Sequence, residues 1–112
     1  MSAITTHVLD TARGVPAAGI PVRLEHWQHG SWTIVGQGTT DADGRCRTLL
    51  PPGAPPDLGR YRLTFETAPY FTARGLRAFF PEVAIAFDIA EPTHHHVPLL
   101  LSPFGYSTYR GS

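Results

Sequence analysis

In the stretch Ile20-Pro21-Val22-Arg23-Leu24-Glu25-His26-Trp27, the apolar residues Ile20, Val22 and Leu24 alternate with Pro21, Arg23 and Glu25. A period of two belongs to a strand with one face in a core and the other in water, so this segment predicts a half-buried β-strand. The same period recurs on both sides. Upstream, Ile4, Thr6 and Val8 share one face of Ile4 to Asp10, and Thr5, His7 and Leu9 share the other, which places His7 opposite the core face. Gly14 and Pro16 mark the intervening turn. Downstream, a His29-Gly30 turn leads into a strand over Trp32 to Gly38. The tight turn Asp41-Ala42-Asp43-Gly44 then leads into one over Arg45 to Leu50, which predicts two successive hairpins.

Pro51 to Gly59 holds four of the eleven prolines and predicts a loop, because proline cannot donate to a sheet ladder. Tyr61, Leu63 and Phe65 share a face of the next strand. Tyr70 to Phe80 carries the only helical spacing, through Phe71, Leu76, Phe79 and Phe80 with Gly75 interrupting, and predicts one short helix. Val83, Ile85, Phe87 and Ile89 then alternate with Ala84, Ala86 and Asp88, and runs over His94 to Leu101 and Gly105 to Arg110 flank a Ser102-Pro103 turn. Seven or eight short strands at a spacing of about 8 to 12 residues predict an all-β antiparallel sandwich. Parallel pairing is not expected, since no helical crossovers are present.

The 112 residues predict a single domain over 1–112. Nine Arg and no Lys balance nine acidic residues, and the Arg are scattered from Arg13 to Arg110, which argues against a nucleic-acid or anionic membrane surface. No apolar run approaches the about 20 residues needed to cross a bilayer. Met1 to His7 lacks a secretory pattern and the lone Cys46 fits a reducing compartment, so either a cytoplasmic location, the one expected here, or a removed leader follows. One cysteine also excludes a zinc site built on three or four thiolates.

Six histidines are many for this length, and three are consecutive. On a strand, His94 and His96 share one face about 6 to 7 Å apart while His95 joins Val97 and Leu99 on the other, so the three cannot converge on one ion. His94 and His96 would need a third ligand such as His7, and no zinc-binding spacing supports that; no metal is expected. His26 and His29 read as exposed residues near a turn. His7 and His96 both lie in apolar strands on the face turned away from the core, where solvent or a partner surface is expected. Arg45 and Arg47 share a strand face, and Cys46 between them points inward as packing. The ending Gly105-Tyr106-Ser107-Thr108-Tyr109-Arg110-Gly111-Ser112 has no solubilising tail and is expected to dock as an edge strand. No nucleophile elbow, phosphate loop or dinucleotide fingerprint is present.

Three segments together resemble the transthyretin-like family, and within it the branch of 5-hydroxyisourate hydrolases. They are His7-Val8-Leu9-Asp10 with Gly14-Val15-Pro16-Ala17, the turn Thr40-Asp41-Ala42-Asp43-Gly44-Arg45, and His96-Val97-Pro98-Leu99-Leu100-Leu101-Ser102 with the terminal Tyr109-Arg110-Gly111-Ser112. The likeness runs over essentially the whole chain. It implies a transthyretin-like (prealbumin-like) fold and a homotetramer, a dimer of dimers whose central channel holds the sites. It also implies hydrolytic opening of the six-membered ring of 5-hydroxyisourate, with no cofactor. Carried over by position, the catalytic residues implied are His7, Arg45, His96 and Ser112, with His7, Arg45 and Tyr109 binding substrate. Either histidine would serve as the base that activates water, and Arg45 would offset charge on the carbonyl oxygen. The rival the likeness leaves open is a carrier of a small hydrophobic ligand; His7 and Tyr109 speak against it, because the carriers resemble one another in having Lys and Thr there. A non-catalytic secreted sandwich is a further rival.

Overall fold

The structure, a computed structural model, describes residues 2–112. Its strands are β1 (Ile4–Asp10), β2 (Val15–Pro16), β3 (Pro21–Gln28), β4 (Ser31–Thr39), β5 (Arg45–Cys46), β6 (Gly59–Glu66), β7 (Glu82–Ile89), β8 (His95–Ser102) and β9 (Gly105–Thr108), with one helix, α1 (Ala68–Thr72), between β6 and β7. They form two sheets. The first runs β2-β1-β8-β9 with β5 also beside β1, and the second runs β4-β3-β6-β7. Ile4, Val8, Leu99 and Leu101 of the first sheet are fully buried with Ile20, Leu24, Leu63 and Phe65, most of them from the second. This core fixes strand parity: a slip of one residue in β1 would expose Ile4 and Val8, at about 1.5 to 3 kcal/mol each, and bury His7 in their place.

Four expectations need correction. First, β1 and β8 pair in parallel, from Ile4↔His95 through to Asp10↔Leu101. No helix makes the crossover; the whole second sheet with α1 lies between the two strands in sequence and returns the chain to the end from which it started. Second, of the two successive hairpins expected, only that of β3 and β4 forms. After Thr40 the chain changes sheet, and the strand expected over Arg45 to Leu50 is reduced to Arg45–Cys46, paired with β1. Residues beyond Cys46 instead lie against β4, in the space that two glycines leave. A Cβ on Gly36 would collide with the Leu49 carbonyl, and one on Gly38 would stand 2.6 Å from Cys46 Sγ.

Third, the helix covers Ala68–Thr72 and does not reach Phe80. Gly75 adopts a left-handed φ of 71°, and the N–H groups of Gly75 and Leu76 donate to Thr72 O and Phe71 O, closing the turn. Phe79 N donates to Pro103 O at 2.8 Å, which draws the following segment to the β8–β9 turn. Tyr70 and Phe71 are therefore buried, while Leu76 and Phe79 are exposed. Fourth, His26 is buried, continuing the inward face of Val22 and Leu24 and stacking on Tyr61 with ring centroids 4.1 Å apart. His29 is exposed in the turn, as expected.

Gly36→Ala is expected to lower stability by about 1 to 3 kcal/mol through overpacking against the Leu49 backbone. Urea denaturation checks this; an unchanged midpoint would mean that the Leu49 segment does not pack on β4.

Candidate active site

One turn sets two of the predicted residues. Asp41 Oδ1 accepts from the backbone N–H groups of Asp43 at 2.9 Å and Arg45 at 3.0 Å, and Gly44 N donates to Asp41 O. These bonds, the Arg45 one foremost, hold the Asp41 carboxyl below its ordinary pKa. Gly44, at a φ of 77°, brings its carbonyl to Val8 N at 2.7 Å, so the turn is clamped onto β1. Arg45 then falls opposite His7 in the β1–β5 register. The same turn presents the Asp43 carbonyl to His7 Nε2 at 2.9 Å. A carbonyl only accepts, so this ring nitrogen donates, and Nδ1 is the nitrogen left for another partner.

The other side of β1 brings in His96. Thr5 pairs with His96 in the parallel register, one same-face step from His7. Thr5 Oγ1 lies 2.8 Å from His96 Nδ1 and 2.9 Å from His94 Nε2, and the two rings are 6.4 Å apart. His95 is turned inward, with Nδ1 donating to Thr93 O. His7, Arg45 and His96 thus stand on one face, supplied by three adjoining strands. The zinc reading of His7, His94 and His96 would need all three rings on one ion, whereas the His94 and His96 rings stand 6.4 Å apart with Nε2 and Nδ1 turned to the Thr5 hydroxyl. Among the described residues no group of three or more His, Cys, Asp or Glu is placed to hold a metal ion.

The C-terminal segment docks against His96. β9 pairs with β8 from Ser102↔Gly105 to Leu99↔Thr108, and the same register resumes at His96↔Gly111. The gap falls opposite Pro98, which has no N–H to give; Thr108 Oγ1 donates to Pro98 O at 2.7 Å instead. Gly111 N donates to His96 O at 2.8 Å. A Cβ at Gly111 would come within 2.7 Å of His96 Cδ2, so the imidazole rests on a position only glycine leaves open. Ser112 reaches a cavity of about 160 Å³ that Thr5, Thr6, Arg45, Arg47, His94 and His96 also line. Tyr109 is separate from it, exposed, and borders a second cavity of about 230 Å³ behind His96, beside Phe87 and Val97.

The face is cationic. Burial above all, then Arg45, His94 and His7, hold His96 below the ordinary imidazole pKa, so it is neutral at pH 7. Among the described residues all three ion pairs, Arg23–Glu25, Arg62–Glu25 and Arg60–Asp88, lie on the second sheet, which leaves Arg45 and Arg47 free of carboxylate partners. A neutral His96 imidazole beside a guanidinium without an ion-pair partner can take a proton from water while the guanidinium binds an oxygen-rich planar group. Sequence reasoning passed over Thr5 and gave His94 only a metal-ligand reading. A threonine carries no signal until the strand beside it is known, although its shared parity with His7 was visible.

The sandwich has known counterparts. The HIUase/Transthyretin family profile matches residues 4–111, and the chain belongs to that family. It is 47% identical over 113 residues to the 5-hydroxyisourate hydrolase of Mesorhizobium japonicum, covering 97% of this chain and 91% of that one. The structure of Klebsiella pneumoniae 5-hydroxyisourate hydrolase superposes with a TM-score of 0.85 at 41% identity, covering 100% of both chains. Sea bream transthyretin in complex with thyroxine superposes with a TM-score of 0.87 at 32% identity, over 97% of this chain and 94% of that one.

Gly111→Ala is expected to push the His96 ring out of place while sparing the core. The His96 imidazole resonances in an NMR spectrum should shift with the unfolding midpoint unchanged; unmoved resonances would show that the tail does not set the ring.

Proposed function

We propose that the protein is a 5-hydroxyisourate hydrolase, opening the six-membered ring at the N1–C6 amide to give 2-oxo-4-hydroxy-4-carboxy-5-ureidoimidazoline. The observation that carries this reading is the placement of His7, Arg45 and His96 on one outward face. The 41 to 47% identity to two hydrolases supports it, and it exceeds the 32% identity to a transthyretin on which a carrier reading would rest.

In this reading His96 is the general base. Its Nδ1 is committed to Thr5, its Nε2 has no partner among the described residues, and its neutral form is favoured. His96 Nε2 takes a proton from water as the oxygen attacks C6. Arg45 binds the urate-like edge and stabilises the oxyanion that develops there. His7, oriented by the Asp43 carbonyl, binds substrate through its remaining nitrogen or its C–H edge, and Ser112 orients water at the cavity, while Tyr109, which borders the neighbouring cavity, is assigned to substrate by the family likeness alone. His96 then returns its proton to the departing ring nitrogen. No organic cofactor or metal takes part.

The chain acts as one domain over 1–112. A cavity of about 160 Å³ is small for a bicyclic substrate, since ligand sites commonly span about 300 to 1,000 Å³. We infer a homotetramer, a dimer of dimers, in which this face meets the same face of another copy and the pair of walls encloses the substrate. No helix among the described residues is long and apolar enough to cross a membrane; the proposed location is cytoplasmic.

Ultraviolet decay of freshly generated 5-hydroxyisourate should be faster with the protein than the spontaneous reaction alone. Arg45→Ala should cost about tenfold to a thousandfold in turnover without dissociating the assembly; wild-type turnover would remove Arg45 from the mechanism. The sign of the pH dependence also follows. Because the folded-state pKa of His96 is depressed, the base stays neutral as pH falls through about 6.5, and the acid limb of kcat/KM should lie below that value. A limb above it would point to a different base.

A further inference from the structure

The Thr5 hydroxyl stands between two imidazole nitrogens, 2.9 Å from His94 Nε2 and 2.8 Å from His96 Nδ1. A hydroxyl has one proton to give, so it donates to one ring and accepts from the other. The two rings therefore cannot choose their tautomers independently. If His96 carries its proton on Nδ1, Thr5 accepts it and donates to the lone pair of His94 Nε2, and His96 Nε2 is free to act as a base. If His94 carries its proton on Nε2, the direction reverses and His96 Nε2 is protonated, as an acid requires. The ends of this chain differ in environment: His96 and Thr5 are partly or fully covered, whereas His94, just ahead of β8, is exposed.

We propose that His94, Thr5 and His96 form a proton relay that carries the proton taken from the attacking water out to solvent-exposed His94 and returns it to the leaving nitrogen. This rests on the hydrolase reading with His96 as base. In the forward step a water O–H bond breaks and the proton forms a bond to His96 Nε2. The Nδ1 proton of His96 passes to Thr5 Oγ1, and the original hydroxyl proton passes to His94 Nε2. The hydroxide formed bonds to the substrate carbonyl carbon. His96 remains neutral throughout, with its tautomer exchanged, and the positive charge rests on His94. When the carbon–nitrogen bond breaks, His96 Nε2–H protonates the departing nitrogen and the chain runs in reverse, restoring all three groups.

The gain is electrostatic. A proton held on His96 itself would place an imidazolium in a covered position facing Arg45 on β5, His7 on β1 and His94, with Arg47 lining the same cavity. Moved to His94, which also borders an open hollow lined by Ser2, Pro55, Pro92 and Thr93 outside this cavity, the same charge is better hydrated. Thr5 and His94 border the same cavity, but in this scheme they act through His96, as positioning and relay residues.

The test uses the full-length protein and the ultraviolet assay with Thr5→Val, Thr5→Ser and His94→Gln. Val keeps the shape of Thr without its hydroxyl, and Gln keeps a hydrogen-bonding partner for Thr5 without accepting a proton. Both Thr5→Val and His94→Gln are expected to lower kcat about tenfold or more with KM nearly unchanged, within the range that acid–base groups contribute. Thr5→Ser should keep kcat within about twofold of wild type. A proton inventory of kcat in H2O and D2O mixtures should bow for the wild type, with more than one proton in flight, and straighten in His94→Gln. Wild-type kcat in His94→Gln, an exposed position that folding tolerates, would overturn the relay, as would equal losses in Thr5→Ser and Thr5→Val. A straight inventory in an active wild-type enzyme would overturn it too. A wild-type protein that leaves spontaneous decay unchanged would instead overturn the hydrolase reading on which it rests.

Discussion

The parallel pairing of β1 with β8 is the constraint from which the rest of the molecule follows. Its seven matched pairs, from Ile4↔His95 to Asp10↔Leu101, seat the first and last long segments of the chain side by side at the centre of one sheet. Apolar residues on the inner side lock that register, because sliding β1 by one position would draw buried Ile4 and Val8 out of the core and turn His7 into it. With the register locked, the outer side has no freedom. Thr5 must adjoin His96, and His7 must adjoin whatever strand lies on the far side of β1. The Asp41–Gly44 turn supplies that strand and brings Arg45 with it.

Charge is divided between the two sheets in a way that net neutrality conceals. The acidic partners sit on the second sheet, where Glu25 is buried between Arg23 and Arg62, and Arg62 also lies over the Trp32 ring at 4.3 Å. The first sheet's outer face holds Arg45, Arg47 and three histidines without a carboxylate among its ion pairs. Guanidinium groups without an ion pair among the described residues, set beside imidazoles, favour an electron-rich ligand. Burial first, and then Arg45, His94 and His7, hold His96 below the ordinary imidazole pKa, so the face that attracts substrate also favours the neutral base.

Much of this was legible in the chain because strand parity is a local property. The alternation in Ile4–Asp10 and around His94–His96 was enough to turn His7 and His96 outward and His95 inward, and the lack of a solubilising tail pointed to a docked ending. What escaped depends on distance in sequence. The parallel pairing involves residues some ninety positions apart, and no local period encodes it. The change of sheet at Gly44 looked like an ordinary hairpin turn, since the same Asx geometry serves both. His26 was assigned by its polarity instead of by the parity it shares with Val22 and Leu24. The helix was drawn too long because Phe79 and Phe80 fit its spacing, whereas Gly75 had already ended it. Thr5 gained meaning only once two imidazoles were found against its hydroxyl.

A crystal structure with an inert purine analogue of the substrate bears most directly on the central claim, that this outward face is the reaction site. Density spanning Arg45 and His96, with a second copy of the chain closing the opposite side, is the expected result. An analogue seated elsewhere, in the cavity behind Tyr109 or between the sheets, with the face of Thr5, His7 and His96 empty, would contradict it.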